Sequence, residues 1–250
     1  MFFYDSTYFW WVFIPTVVLS FLVQMHLRRT FKKYSKVENM ADLTGDEVAD
    51  ELFAKTSLDP VPVQRIRQPL GDHFDPKANI VRLSPPVGGA DSVSAMAVTA
   101  HELGHVQQYQ TGSGLIKMRS FLVPAVQFSP MVTYFCAMLG LVFNMTNLLW
   151  VALIFFGLTV LFSLLTLPVE FDASKRGLAL LHEADLFGSE EEATGARKVL
   201  TAAGLTYLAA FVTSVLQLVY YIGRVNREVE KDKARDARRE ARQSRGRSRG

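Results

Sequence analysis

SFLVPAVQFSPMVTYFCAMLGLVFNMTNLLWVALIFFGLTVLFSLLTLPV, residues 120–169, is a run of 50 residues without Asp, Glu, Lys, Arg or His. A bilayer core about 30 Å thick takes roughly 20 apolar residues per helix, so this run holds two spans. Asn144-Met145-Thr146-Asn147 divides it near its centre as a short polar turn. Outward from it, residues 6–25 and 199–223 are also uncharged, at 20 and 25 residues. Four membrane segments are predicted, at about 7–25, 121–143, 148–169 and 203–223. A buried helix of a soluble core can be equally apolar, but 50 uncharged residues in succession are more than such a core needs.

The first segment differs from a secretory signal peptide. It has no basic leader, carries Asp5 before the apolar run, and is followed by Arg28, Arg29, Lys32, Lys33 and Lys36 where small cleavage-site residues would stand. It reads as a retained anchor, residues 1–25. The same cations place residues 26–119 on the cytoplasmic side, and the uncharged 144–147 turn agrees. Four spans would then export the tail 224–250, whose 11 Lys/Arg against 5 Asp/Glu oppose that placement.

Of the 250 residues 49% are apolar and 20% charged, with a mean hydropathy of +0.15, which excludes a wholly disordered chain. The single cysteine, Cys136, excludes an intramolecular disulfide framework and a cysteine-rich metal site; it reads as packing. The tail lacks aromatic residues for base stacking, and acidic residues interrupt its cations. No nucleic-acid partner is expected, and a helix entering water, disordered from 242 to 250, is.

Two polar stretches, 26–119 and 170–202, are separated by the 120–169 hairpin and so return to one side of the membrane. Thr44-Gly45-Asp46-Glu47 has capping-box spacing and opens a short amphipathic helix through Val48, Leu52 and Phe53, ending at Asp59-Pro60. Val61, Val63 and Ile66 lie in an extended run, and Asn79–Ser84 alternates; turn residues from Gly71 to Asn79 separate the two, predicting a small antiparallel pair. Gly88-Gly89-Ala90-Asp91 supplies a loop and an N-cap candidate for a helix from about Ser92 to Tyr109, closed by Gly112.

That helix contains His101-Glu102-Leu103-Gly104-His105, an HExxH motif. Histidines four residues apart project from one helix face and can share one zinc ion, and the intervening glutamate can take a proton from water at the metal. Background frequencies produce the pattern in roughly one chain of this length in a hundred, so its helical context matters. A catalytic zinc keeps three protein ligands. The extended zincin pattern would place Gly at 108 and His at 111, where this chain has Gln108 and Thr111. Glu170 is the strongest third candidate, being the first charged residue after the long apolar run, on the side of the histidines.

His101–His105, Asp72-His73-Phe74-Asp75-Pro76 with Val81-Arg82-Leu83-Ser84, and Leu167–Arg176 together resemble the YugP-like membrane zinc metallopeptidases. The likeness runs from about Leu43 to Leu181. More distantly the layout is similar to HtpX-type heat-shock proteases and CAAX prenyl proteases. The resemblance implies one Zn2+ per chain on His101, His105 and Glu170, Glu102 as general base, and peptide-bond hydrolysis at a bacterial cell membrane. In the distant relatives an aspartate four residues after the glutamate ligand braces a zinc histidine, where this chain has Ser174; Asp172 is the alternative brace. Glu183-Ala184-Asp185 resembles the end of the same glutamate motif, but its ligand position falls on Leu181, which rejects it.

The expected fold is a mainly α membrane protein, α+β in its membrane-side domain: about four transmembrane helices, the HExxH helix and a small antiparallel sheet. His73 and Arg176 are weaker candidates for stabilising an oxyanion, and a turn histidine and a surface cation are the plainer readings; His182 is read with the same caution. The strand around Val81–Leu83 could pair with an extended substrate backbone. The expected partners are the lipid bilayer and a polypeptide substrate, with oligomeric state open. Two other readings stand beside the peptidase. An intramembrane protease would need its motif inside an apolar span completed by an aspartate in another, whereas Asp91, Gln107 and Gln108 flank this motif and no predicted span contains Asp. A non-catalytic scaffold held by zinc would have no use for Glu102.

Overall fold

The computed structural model describes residues 6–68 and 71–247. Six helices of two turns or more carry the described residues: α1 Ser6–Tyr34, α2 Gly45–Lys55, α3 Val93–Gln110, α4 Gly114–Val142, α5 Thr146–Glu183 and α6 Glu190–Arg247, with a single turn at Pro85–Gly88 before α3. Among the described residues α1, α4, α5 and α6 are long and apolar enough to cross a membrane. Their exposed side chains include Trp10, Trp11, Phe21, Phe128, Val142 and Ile154, an apolar exterior suited to lipid. Asn144, at φ +54°, makes the turn between α4 and α5, inside the predicted polar tetrapeptide. The basic tail stays helical to Arg247, beyond the Arg242 at which its composition predicts disorder, and pairs such as Lys231–Glu228 (2.8 Å) lace its surface. Residues 248–250 and Asp5 lie outside the described residues.

The chain divides into two compact units. One comprises Met1–Thr16, Leu122–Phe162 and Val212–Gly250; the other comprises Val17–Phe121 and Ser163–Phe211. Within the first, Ser129 donates to the carbonyl of Phe155 at 3.0 Å, tying α4 to α5. The rings of Phe156 and Tyr221, 5.2 Å apart, tie α5 to α6. The second unit gathers both polar stretches of the sequence and holds His101, Glu102, His105 and Glu170.

In that second unit, α2 opens with both halves of its capping box: the Thr44 amide donates to Glu47 at 2.8 Å, and the Glu47 amide donates to the Thr44 hydroxyl at 3.4 Å. The helix ends at Thr56, before Asp59-Pro60, where the Thr56 hydroxyl donates to the Leu52 carbonyl. Ser92, rather than Asp91, caps α3 by accepting from the Ala95 amide at 3.2 Å. Gly112, at φ +62°, lets the chain leave α3. Val48, Leu52, Leu83, Met96, Leu103, Leu180 and Leu181 fill the core between α2, α3, α5 and the sheet. Leu103, inside the HExxH motif, is wholly buried, and its truncation to Ala would cost about 2–5 kcal/mol.

The sheet has three short strands, β1 Val63–Arg65, β2 His73–Asp75 and β3 Ile80–Leu83, in the order β1-β3-β2. It is mixed rather than antiparallel. The run at Val63 pairs with β3 in parallel, Val63 opposite Val81, while the intervening β2 supplies the antiparallel partner, Phe74 opposite Val81. A two-strand reading misses β2 because its three residues lie within the turn-rich segment. The segments singled out for the family resemblance build this hairpin. Asp72 accepts from the Ser84 amide at 2.6 Å and its hydroxyl at 2.9 Å, and Asp75 accepts from Arg82 at 2.7 Å. Asp75 also accepts from the Lys77 and Ala78 amides, and Asn79 closes the turn at φ +54°.

Candidate metal centre

Two helices meet where the motif lies. A Cβ on Gly104 would overlap the Ala173 carbonyl of α5, and a Cβ on Gly177 would overlap the Ala100 carbonyl of α3. Glycine at both points lets the backbones touch, and one turn away the side chains of α3 and α5 face each other. His101 Nε2 and His105 Nε2 lie 3.3 and 3.4 Å from Glu170 Oε2. The two imidazoles stand nearly perpendicular, at 81°, with centroids 4.8 Å apart. One ligand atom from each of the three residues falls within 4.8 Å of the others, the only such group of three among the described residues.

Glu170 is 3% exposed, and its Oε2 is a buried oxygen without a hydrogen-bond partner of good geometry. Such an atom is costly to bury unless something electropositive completes it. Two imidazole nitrogens and one carboxylate oxygen form a borderline-soft set with the composition of a hydrolytic zinc site, so the residues fit the ion. The donor atoms of all three converge on one point, which an ordinary ion pair does not require.

Glu102 is buried on the same helix turn, and its Oε2 accepts from the Phe74 amide of β2 at 2.9 Å. The hairpin therefore orients this carboxylate. Burial disfavours charge on His105, but the facing Glu170 and Glu102 carboxylates outweigh it and raise the imidazole above its usual value. Ser174 lies 3.1 Å from His101 Nδ1, the position of the relatives' aspartate, and supplies a hydroxyl there. Asp172 also contributes, through Gln108, whose side chain lies 3.0 Å from His105 Nδ1 and donates to Asp172 at 2.7 Å.

The weaker candidates resolve plainly. His73 is exposed at the start of β2, its Nδ1 2.7 Å from the Gly71 carbonyl. Arg176 pairs with Asp172 at 2.7 Å rather than with Glu170. His182 packs edge-on against Phe187. Leu181 is fully buried in the apolar core, so Glu183-Ala184-Asp185 has no ligand to offer. β3 is flanked on both sides, so the strand at Val81–Leu83 has no free edge for a substrate. The sequence shows Gln108 only as the place of a residue lost from another pattern, although its i+3 spacing from His105 signals a shared helix face. Nor does it single out Arg119, 4.0 Å from Glu170 Oε1, or Tyr207, which lies near enough to feel the Glu170 and Glu102 carboxylates. Tyr207 lies in an apolar span, where a tyrosine carries no signal of its own. Gly204, one turn earlier, packs on the Phe171 ring and lets α6 come that close.

Residues 9–226 match a family described as "Putative neutral zinc metallopeptidase". The chain is 38% identical over 209 residues to the "Putative membrane protease YugP" of Bacillus subtilis (strain 168), covering 84% of this chain and 92% of that protein. No solved structure matches the chain. With the HExxH helix and the facing glutamate in place, these matches make the chain a member of the YugP-like family described as neutral zinc metallopeptidases.

Proposed function

We propose that this protein is a membrane-anchored zinc endopeptidase. The observation that carries the reading is the convergence of His101 Nε2, His105 Nε2 and the orphaned Oε2 of Glu170 beside Glu102. In this reading the three residues hold one Zn2+ per chain. Bound there, zinc supplies Lewis acidity to the scissile carbonyl and brings the acidity of water towards neutrality. Glu102 takes the proton of the attacking water and delivers it to the departing amine nitrogen, so one water is consumed and a carboxylate and an amine are released. The Phe74 amide holds the Glu102 carboxylate in place for both transfers.

The substrate class proposed is polypeptide that is unfolded or lies at the membrane, in keeping with a site whose Glu170 stands on α5, a helix long and apolar enough to cross a membrane. A bacterial cell membrane with the site facing the cytoplasm accords with Arg28, Arg29, Lys32, Lys33 and Lys36 after the first span. Metal analysis of the full-length chain, purified in detergent after zinc loading, tests the reading. One zinc per chain is expected, with nearly complete loss in His101→Ala. Wild-type protein that takes up no zinc would overturn it.

A further inference from the structure

Gln108 is wholly buried, and both ends of its side-chain amide are engaged. One end faces the Val169 carbonyl at 2.8 Å and the Asp172 carboxylate at 2.7 Å. Both partners can only accept, so that end is the NH2 group. The other end is therefore the amide oxygen, and it lies 3.0 Å from His105 Nδ1. An amide oxygen can only accept as well, so His105 Nδ1 must carry the proton. In a neutral imidazole this leaves the lone pair on Nε2, the atom directed at Glu170 Oε2. His101 differs, because the Ser174 hydroxyl at its Nδ1 can donate or accept and so dictates no tautomer.

We infer that Gln108 is a positioning residue that locks His105 in the Nδ1–H tautomer and aims its Nε2 lone pair at the metal position. The inference rests on the zinc reading only for its purpose; the tautomer follows from the hydrogen bonds themselves. The lock is also a gauge of assembly. Val169 and Asp172 flank Glu170 on α5, so Gln108 holds its orientation only when α5 is docked against α3. His105 is thus set for metal by the same helix that brings the third ligand. Arg176 donates to the same Asp172 oxygen at 2.7 Å and to Gln107 at 3.2 Å, fastening the anchor from the other side.

The test uses the full chain, 15N-labelled at histidine, metal-free and at a pH high enough to keep the ring neutral. Nitrogen NMR is expected to show the His105 proton on Nδ1 in wild type and redistributed towards Nε2 in Gln108→Met, which keeps the volume and removes both hydrogen-bonding ends. Gln108→Glu keeps an acceptor oxygen and is expected to keep the proton on Nδ1. Zinc affinity, read by chelator competition, should fall about 10–100-fold in Gln108→Met. A proton on Nε2 in wild type, or an unmoved proton in Gln108→Met, overturns the inference. If Gln108→Met does not fold, a proton on Nε2 in Gln108→Glu does the same. Because the tautomer is read without metal, wild type that binds no zinc defeats the peptidase reading and leaves this result standing.

Discussion

Gly104 of α3 lies against the Ala173 carbonyl of α5 so closely that no side chain larger than hydrogen fits between them. The motif position between the two histidines is therefore also the point where the two halves of the centre touch. Gly104→Ala should push α5 outward, separate Glu170 from both imidazoles and cost about 1–3 kcal/mol. Thermal unfolding in detergent together with zinc content checks this, with lower Tm and reduced zinc expected. Gly177→Ala, which meets the Ala100 carbonyl, should behave alike. Gly157→Ala, with nothing within 4 Å of the added methyl, should change neither quantity for the worse.

Glu102→Gln separates metal binding from proton transfer. The amide oxygen can still accept from the Phe74 amide, so the hairpin and the zinc content should match wild type. Cleavage of an unfolded test polypeptide should fall by about 10²–10⁴-fold, the usual contribution of a general base. Wild-type rates in this variant would assign the base to another residue.

How far the sequence is legible depends on range of action. The spans are composition over a membrane's thickness, and the capping box at Thr44 and the HExxH face are spacings within one helix. Glu170 is legible because an apolar run makes the next charge conspicuous. Gln108 and Asp172 act on each other across 64 residues of chain, and their pairing exists only once α3 and α5 cross. The parallel partnership of β1 with β3 is hidden for a similar reason. Three-residue strands carry little periodicity, and the registry of Val63 on Val81 joins segments that the sequence separates by a turn-rich stretch holding β2.

Glu170 is expected to be the third ligand and not merely an acidic neighbour. Its Oε2 faces both Nε2 atoms, whereas Asp172 is engaged by Gln108 and Arg176, and Glu183 is exposed at the end of α5. Zinc affinity should collapse in Glu170→Gln, which leaves two histidines. It should fall about 10–100-fold in Asp172→Asn, which weakens a support of His105. Glu183→Gln should bind as wild type. Unchanged affinity in Glu170→Gln would remove the carboxylate from the centre.

Asp75 ties the stability of the β2–β3 hairpin to pH. Its pairing with Arg82, aided by the Ala78 and Lys77 amides, holds the carboxyl down at about 2, against about 3.9 in an unfolded chain. Because the folded value is the lower one, the unfolded chain takes up the proton first as pH falls. The stabilisation is therefore whole above about pH 4 and is lost between about 4 and 2. Deuterium exchange of the hairpin amides, corrected for intrinsic rates, should show protection falling through that window. In Asp75→Asn protection should be lower at neutral pH and depend less on acid. The comparison of the two proteins isolates Asp75 from other carboxyls that protonate in the same range. Opening of this hairpin also withdraws the Phe74 amide from Glu102, so the strand that Asp75 secures is the one that orients the proposed base. Identical protection of wild type and Asp75→Asn across the window would show that the Arg82 pair does not hold that strand.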